Sequence, residues 1–293
     1  MKNKISTFYL ILCLFIYSSD IYATDKFSYE ANQIEVLDNG NIIKSQKGVK
    51  IFLNDNIDIL SNKFQYNKKK GLVELSGDVK IIDRFNEFTI DTDKILYFQK
   101  ENTISTNKLS KFTFENKYFG ESAGFQYFIS QPKVTSNKEM KIYDLKNNFF
   151  YIKNFEYEMK ENLFRGSNTK FIDEENNEYL ISNTVINLNN NNISGKDLSI
   201  NFNKSTFGNN ENDPRLKSRS FYVTENLSSM DKGVFTTCKK NDQCPPWKIS
   251  ADNIIHDKKK ETIAYKNAWL KLYDIPVAYF PKFSHPDPTV KRK

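Results

Sequence analysis

Apolar and polar residues alternate along the chain in short runs. The apolar members step by two, as in Ile57 and Ile59, Phe64 and Tyr66, Val73 and Leu75, Val79 and Ile81, Phe88 and Ile90, and Ile95 and Tyr97. Side chains two residues apart lie on the same face of a strand, so each pair predicts a half-buried strand. Turn-forming residues separate the runs, for example Asn54-Asp55-Asn56, Asn67-Lys68-Lys69-Lys70-Gly71, Gly77-Asp78 and Asp83-Arg84-Phe85-Asn86. A spacing of about ten residues per strand and turn predicts an all-β roll of short antiparallel strands.

Parts of this pattern recur. Residues 61–68 resemble residues 92–99, and Asn67-Lys68-Lys69-Lys70 returns as Asp257-Lys258-Lys259-Lys260. When residues 67–70 are aligned with residues 257–260, Phe64 matches Ile254, Val73 matches Ile263, Leu75 matches Tyr265 and Val79 matches Trp269. Stacked repeats share one continuous core, because a single unit cannot bury its own apolar face. Chance similarity between stretches rich in Lys, Asn and Ile is the alternative.

The N-terminus has the three parts of an export signal. Lys2 and Lys4 precede an apolar run over residues 8–17, and Ile21-Tyr22-Ala23 offers a cleavage site. The run is shorter than the roughly 20 residues that span a bilayer, although an uncleaved anchor is the alternative. We therefore expect a signal peptide over residues 1–23 and an exported mature chain.

Composition divides the mature chain into three regions. Residues 24–205 are the repetitive roll, residues 206–216 are a linker or loop, and residues 217–293 are a C-terminal part with most of the prolines. Cys238 and Cys244 lie in that last part and could close a small disulfide loop in an oxidising compartment.

Charge and motifs argue against several classes of function. The net charge is +7, and the basic residues are scattered among acidic ones. This distribution indicates a mixed solvated surface, at most mildly attractive to a phosphorylated lipid, and no nucleic-acid partner. The sequence has two histidines and lacks the G-x-S-x-G, P-loop, HExxH and Rossmann motifs. We therefore expect no catalytic residues, no cofactor and no metal site.

An incompletely closed roll would hold a long apolar trough in which acyl chains are sheltered from water. Its predicted lipid-lining residues are Ile59, Phe64, Tyr66, Val73, Leu75, Val79, Ile81, Ile90, Ile95 and Tyr97. The alternative is that these side chains fill a closed core. The unpaired edges of such a roll would suit end-to-end pairing with another sheet.

The last sixty residues carry a family resemblance. The succession runs from Phe235-Thr236-Thr237-Cys238 through Cys244-Pro245-Pro246-Trp247 and Asn267-Ala268-Trp269-Leu270 to Ile275-Pro276-Val277-Ala278-Tyr279-Phe280-Pro281-Lys282-Phe283-Ser284-His285-Pro286. It resembles the LptD (OstA) family in its α-proteobacterial form, and residues 30–110 are similar to the OstA/LptA-like domain.

The resemblance implies an OstA/LptA-like β-jellyroll that takes part in lipopolysaccharide (LPS) transport and assembly and is not an enzyme. Such a domain would act in the periplasm and at the outer membrane, and it would receive LPS from an LptA-like bridge protein. It would pass LPS to an outer-membrane barrel that is plugged by an LptE-like lipoprotein, and this chain stops before any barrel. Two alternatives stay open: a free-standing LptA-like bridge protein, and a β-solenoid structural or adhesin protein.

Residue roles follow from the resemblance too. Pro276, Tyr279, Pro281, Phe283 and Pro286 would form the junction with the barrel, and the prolines would interrupt strand pairing. A cysteine at the position of Cys238 can pair in the family with the C-terminal end of the barrel. With that region absent, a local bond between Cys238 and Cys244 is the expectation.

Overall fold

The structure is a computed structural model that describes residues 27–146, 148–207, 211–240 and 246–287. These residues form 21 β-strands, which belong to one antiparallel sheet, and two short 3₁₀ turns, Met159–Glu161 and Lys204–Phe207. The all-β prediction is confirmed. The predicted signal peptide and Cys244 lie outside the described residues. Across the described ranges, no helix is long and apolar enough to cross a bilayer.

The strands of the first half are β1 (Ser28–Ala31), β2 (Glu35–Leu37), β3 (Ile42–Ser45), β4 (Val49–Phe52), β5 (Ile57–Ser61), β6 (Lys63–Asn67), β7 (Leu72–Asp83), β8 (Phe88–Phe98), β9 (Thr103–Phe114), β10 (Tyr118–Phe128), β11 (Lys133–Ser136) and β12 (Met140–Asp144). Those of the second half are β13 (Phe149–Glu158), β14 (Leu163–Ile172), β15 (Glu178–Asn187), β16 (Asn192–Asn201), β17 (Arg215–Val223), β18 (Leu227–Thr236), β19 (Trp247–Asp257), β20 (Thr262–Leu272) and β21 (Ile275–Pro286).

Most strands pair with their neighbours in sequence, which makes the roll a long meander. The sheet forks at β7: β6 pairs with its first half and β5 with its second half. The branches continue through β4 to β1 and through β3 to β2. Between β10 and β13 the short strands β11 and β12 lie end to end and share the pairing. Within the described residues β1, β2 and β21 each have one partner strand, so the roll has open edges.

Seven of the long strands, namely β7, β10, β13, β14, β16, β18 and β20, contain a residue with positive φ near their middle. These residues are Asp78 (φ 48°), Gly124 (φ 120°), Asn154 (φ 47°), Asn168 (φ 48°), Asp197 (φ 54°), Lys232 (φ 52°) and Asn267 (φ 51°). Gly, Asn and Asp adopt this conformation most readily. A register shift, the mark of a β-bulge, lies beside Asp78, Gly124 and Asn154. The turn predicted at Gly77-Asp78 is therefore wrong. It is an irregularity inside the twelve-residue strand β7, between Ser76 and Val79.

Two hydrophobic cores fill the roll. The first runs from Phe27 to Phe164 and the second from Ile181 to Ala268. The predicted linker at 206–216 does not end the sheet, because β16 and β17 on either side of it pair from Ile193–Val223 to Asn201–Arg215. Sheet pairing is therefore continuous from the first core to the second.

The predicted repeat is visible in the turns before β7 and β20. The amide of Lys70 donates to Oδ1 of Asn67 at 3.0 Å, and the amide of Lys260 donates to Oδ1 of Asp257 at 3.0 Å. The predicted match of Val79 with Trp269 is wrong, however. Three residues separate the inward-facing Leu75 and Val79 of β7, whereas two separate the inward-facing Tyr265 and Ala268 of β20, so Trp269 turns outward.

The proline-rich C-terminal segment is also more regular than predicted. It forms the edge strand β21, which pairs with β20 from Ile275 to Pro286. Pro276 lies beside the register shift and Pro286 ends the strand, while Pro281 falls where the register omits a pair. Because an edge strand tolerates missing donors at such positions, the prolines interrupt the pairing only locally.

Candidate functional site

An apolar cavity of about 200 Å³ lies inside the roll, between strands β8 and β16. Its lining is Phe88, Ile90, Ser110, Phe112, Phe114, Tyr118, Ser122, Phe125, Val134, Met140, Ile142, Asp144, Phe150, Ile152, Phe155, Tyr157, Phe164, Ile186, Leu188, Asn191 and Ile193. Aromatic rings and branched aliphatic side chains make up most of this wall. Such a wall suits an apolar ligand, because burying apolar surface is the favourable term in its binding.

The aromatic rings of the wall are in contact with one another. Phe114 meets Tyr157 edge-on, with ring centroids 5.0 Å apart, and Phe155 lies nearly parallel to Phe164 at 6.1 Å. These contacts fix the rings relative to the strands that carry them.

Most polar side chains of the wall are already hydrogen-bonded within the protein. Ser110 shares a hydrogen bond with Thr92 at 3.0 Å, and the Ser122 hydroxyl donates to the Gly124 carbonyl at 3.2 Å. The Tyr157 hydroxyl donates to Oδ1 of Asn162 at 2.9 Å, and burial raises the pKa of this tyrosine. A ligand in the cavity would therefore be held by apolar contact.

Two glycines let side chains lie flat against the wall. A Cβ on Gly120 would come 2.4 Å from Cζ of Phe112, and one on Gly166 would come 2.3 Å from Cγ2 of Ile152. Real Cβ atoms do not approach so closely, so the shape of the cavity depends on glycine at both positions.

The ten predicted lipid-lining residues are all inward-facing and buried in the first core. Ile90 lines the cavity, and the other nine pack against each other on the N-terminal side of it. Whether any of the ten touches lipid stays a prediction.

The sequence reasoning missed most of the cavity wall. Phe112 and Phe114 are two residues apart, and so are Phe155 and Tyr157. This spacing places both members of each pair on the same face of a strand. Ten of the 24 phenylalanines fall between residues 110 and 171. Extending the search for alternation beyond Tyr97 would have found this wall.

A charged cluster joins β4, β5 and the turn after β7. The carboxylate of Asp58, which is almost fully buried, accepts hydrogen bonds from the guanidinium of Arg84 and forms an ion pair with Lys50 at 3.1 Å. The hydrogen bond from Arg84 is the main cause that holds the pKa of Asp58 below its ordinary value. Because both cations are occupied by Asp58, the cluster is best explained as a structural clamp between β4, β5 and the turn after β7.

At the other end, the predicted junction residues lie on β21. Tyr279 packs on Trp269 at 4.7 Å, and Phe283 stacks on Tyr265 at 4.5 Å. Cys238 is half-buried, with its Sγ 3.5 Å from the carbonyl oxygen of Trp247. Its predicted partner Cys244 is outside the described residues, so the disulfide stays a prediction. Among the described residues, no group of three or more His, Cys, Asp or Glu side chains is placed to hold a metal ion.

Comparison with known proteins gives the family. A search of curated proteins finds no match. Among solved structures, the chain is similar to LptH from Pseudomonas aeruginosa, described as the LptA-homologous periplasmic component of the lipopolysaccharide transport device. The identity is 16% and the TM-score 0.33, over 38% of this chain and 81% of LptH.

The part of the chain that matches a known protein family includes the whole cavity wall. Residues 58–206 match the family described as LptA/(LptD N-terminal domain) LPS transport protein, and every lining residue of the cavity falls within that range. The match covers the roll rather than residues 235–293, on which the sequence resemblance was strongest. Because it spans just over half of the 293 residues, the chain belongs to the LptA/LptD N-terminal domain family, and its role is in lipopolysaccharide transport.

Proposed function

We propose that the cavity between β8 and β16 binds acyl chains of LPS while the lipid moves along the roll. The observation that carries the proposal is an apolar cavity, with few polar side chains and most of these hydrogen-bonded internally, within the part of the chain that matches an LPS transport family. Each CH₂ group transferred from water into such a site contributes about 0.8 kcal/mol. A few methylene groups are therefore enough to hold a chain transiently.

The size of the cavity limits what it can hold at one time. At about 200 Å³ it is smaller than the roughly 300–1,000 Å³ of pockets that enclose a drug-sized ligand. It would hold a segment of an acyl chain, and a larger load would need the walls to separate. Ile186, Leu188 and Ile193, which are only partly buried, form the side of the wall nearest the second core in sequence.

The open edges suit a relay. One end of the roll presents β1 and β2, and the other presents β21. We propose that an LptA-like bridge protein delivers LPS at one edge, and that LPS leaves along β21 toward an outer-membrane barrel with its LptE-like lipoprotein. The chain would act in the periplasm and at the outer membrane, without catalysis. Pro276, Tyr279, Pro281, Phe283 and Pro286 would line the way out.

Photocrosslinking tests the lipid site. A photoreactive phenylalanine analogue in place of Phe150 or Ile186 should form an adduct with LPS, because both side chains face the cavity. The matched controls are Leu109 and Leu180, which are exposed apolar strand residues, and they should give no adduct above background. Equal labelling at all four positions, or none at Phe150 and Ile186, would contradict the proposal.

A filled cavity gives a second test. Ile142→Trp should reduce the LPS that copurifies with the chain by roughly tenfold, because the indole occupies the space that an acyl chain would take. Overpacking costs about 1–3 kcal/mol, so the urea midpoint should be measured in parallel. Leu180→Trp adds the same side chain on an exposed site and should leave copurified LPS unchanged. Unchanged LPS in a folded Ile142→Trp variant would contradict the assignment.

A further inference from the structure

The outer face of the last three strands carries a regular arrangement of lysines and aromatic rings. In the cross-strand registers, Lys248 lies opposite Lys271, Trp269 lies opposite Tyr279, and Lys266 lies opposite Lys282. Directly opposed residues share one face of a sheet. We call this set, Lys248, Lys266, Trp269, Lys271, Tyr279 and Lys282, the lysine–aromatic patch. Its aromatic pair lies between two pairs of like charges.

Like charges directly opposite each other distinguish these strands from the rest of the sheet. From β1 to β14, every directly opposed pair of charged residues within the described registers joins opposite charges. These pairs are Glu30–Lys50, Glu35–Lys44, Lys80–Asp91, Asp91–Lys111, Lys111–Glu121, Glu121–Lys141, Lys133–Glu158 and Glu156–Arg165. Opposed like charges destabilise a sheet, so two lysine pairs are unfavourable for folding and favour the binding of an anion.

Acidic side chains neutralise this surface only in part. Lys248 forms an ion pair with Asp274. Asp252, the other nearby carboxylate, is bonded to Lys232 at 2.5 Å and to Asn267 at 2.9 Å. In the described part of the chain, Lys266, Lys271 and Lys282 form no ion pair within 4.0 Å. Three cations of the patch are therefore available to an external anion.

Charge and apolar exposure are concentrated in the same part of the chain. Residues 258–287, the end of the described chain, contain six lysines and three acidic residues. Seven of the 17 exposed large hydrophobic residues of the described chain fall between Trp269 and Phe280. A partner of this surface must therefore be both anionic and able to accept apolar groups.

Trp269 and Tyr279 suit the boundary between water and lipid. They are 41% and 46% exposed, their rings are 4.7 Å apart, and the Tyr279 hydroxyl donates to Asn267 at 3.1 Å. Amphipathic rings of this kind collect at the headgroup level of bilayers, and lysines beside them are attracted to anionic headgroups. A soluble anion would use the lysines but would leave the two rings in water.

We propose that the lysine–aromatic patch docks the C-terminal end of the roll on the surface of an anionic bilayer. The rings lie at the headgroup level and Lys266, Lys271 and Lys282 contact phosphates. This docking is independent of the acyl-chain cavity, which lies between β8 and β16. It would hold the open edge strand β21 beside the membrane.

Vesicle binding tests the proposal. The chain, purified in its exported form, is sedimented with vesicles of phosphatidylcholine alone and of phosphatidylcholine mixed with phosphatidylglycerol. It should bind the mixed vesicles, and the double variant Lys266→Gln, Lys282→Gln should bind about 25-fold more weakly, at about fivefold per lysine. The control removes two exposed lysines on β16 and β17 by Lys196→Gln and Lys217→Gln, and its binding should fall much less.

The same variants separate docking from folding. Removal of the Lys266–Lys282 repulsion should leave the urea midpoint unchanged or higher, so weaker binding cannot come from unfolding. Trp269→Ser should weaken binding in low and high salt alike, because its contribution is apolar. Inorganic phosphate, added at the same concentration of negative charge as the vesicles carry, should not displace the protein from the vesicles.

Four results would overturn the proposal. They are equal binding to neutral and anionic vesicles, equal loss in the patch and control double variants, full competition by inorganic phosphate, and binding to a single-stranded oligonucleotide but not to vesicles. The last result would assign the patch to a nucleic acid instead.

Discussion

The first core, from Phe27 to Phe164, excludes water more completely than the second core, from Ile181 to Ala268. All of the largest fully buried side chains of the described residues lie between Ile51 and Ile152. In the second core, Ala268 is the residue that reaches full burial, and its larger members keep a small exposure. The same antiparallel meander therefore has one core with fully buried large side chains and one core that is slightly exposed.

This difference in burial predicts different free energies of local opening in the two cores. Local opening occurs where few apolar contacts must be broken, so the second core should open at lower free energy than the first. The cavity lies where the first core ends, with part of its wall from β15 and β16. A lipid would therefore meet a rigid wall on one side and a more yielding one on the other.

The largest expected effect is a matched pair of core truncations. Leu75→Ala should lower the free energy of unfolding by about 3–5 kcal/mol, because Leu75 is completely buried. Leu198→Ala removes the same atoms from the second core and should cost about 2–3 kcal/mol, since water already reaches that site. Urea unfolding of both variants measures the difference. Equal losses would show that the two cores are packed alike.

Two tyrosines give the next comparison. The Tyr127 hydroxyl donates to the carboxylate of Asp83 inside the first core, and both groups are fully buried. Tyr127→Phe should cost about 1.5–3 kcal/mol, the range for a hydrogen bond to a charged group. The Tyr265 hydroxyl meets Nε2 of the more exposed His285 at 3.2 Å, so Tyr265→Phe should cost less than about 1 kcal/mol. Thermal unfolding of the two variants would show a reversed order if the second core were the tighter one.

The clamp at Asp58 predicts a dependence on pH. Asp58→Asn should lower stability by about 1–2 kcal/mol at neutral pH, because it removes the charged hydrogen bonds from Arg84. The pKa of Asp58 is lowered in the folded state, so its contribution is complete above the unfolded pKa, about 3.9, and is lost as the pH falls through the folded pKa. The urea midpoints of the unmodified protein and of the Asp58→Asn variant should converge below about pH 4. A difference that stays constant down to pH 2 would assign the effect to packing instead.

The smallest expected effect compares two equivalent turns. Gly71 has φ 58° in the first turn, and Glu261 has φ 50° at the matching position of the second. A residue with a Cβ is strained at such angles, so Glu261→Gly should stabilise the protein by roughly 0.5–1 kcal/mol. Gly71→Ala should destabilise it by a similar amount, since the space around Gly71 admits a Cβ and only the backbone angle is unfavourable. Differential scanning calorimetry resolves shifts of this size, and a destabilised Glu261→Gly variant would contradict the equivalence.

Strand positions were predictable from the sequence, and strand lengths were not. Val73 and Leu75 alternate in the same way as Val79 and Ile81, but two strands and one bulged strand give the same pattern when Gly77 and Asp78 lie between them. The bulge is set by pairing with β5 and β6, which is tertiary information. The same limit explains Trp269, because one residue fewer between two inward-facing positions turns every later side chain to the other face.

The cavity and the lysine–aromatic patch depend on register in the same way. Alternation indicates that Phe112 and Phe155 face inward, but only strand pairing shows that they enclose one space. The lysines of the patch are scattered in sequence, and they form pairs only when β19, β20 and β21 lie side by side. Sequence reasoning therefore gave the fold class and the family, while the site needed the pairing.

The bends made by Asp78, Gly124, Asn154, Asn168, Asp197, Lys232 and Asn267 have a consequence for how such a protein can change in size. These bends recur along the meander from β7 to β20, so the local curvature does not depend on the total number of strands. Adding or deleting one hairpin would change the length of the conduit by about 10 Å, two strand spacings, and leave its cross-section unchanged. Length can therefore vary in evolution or by design to match the distance that a lipid must cross, without a new fold.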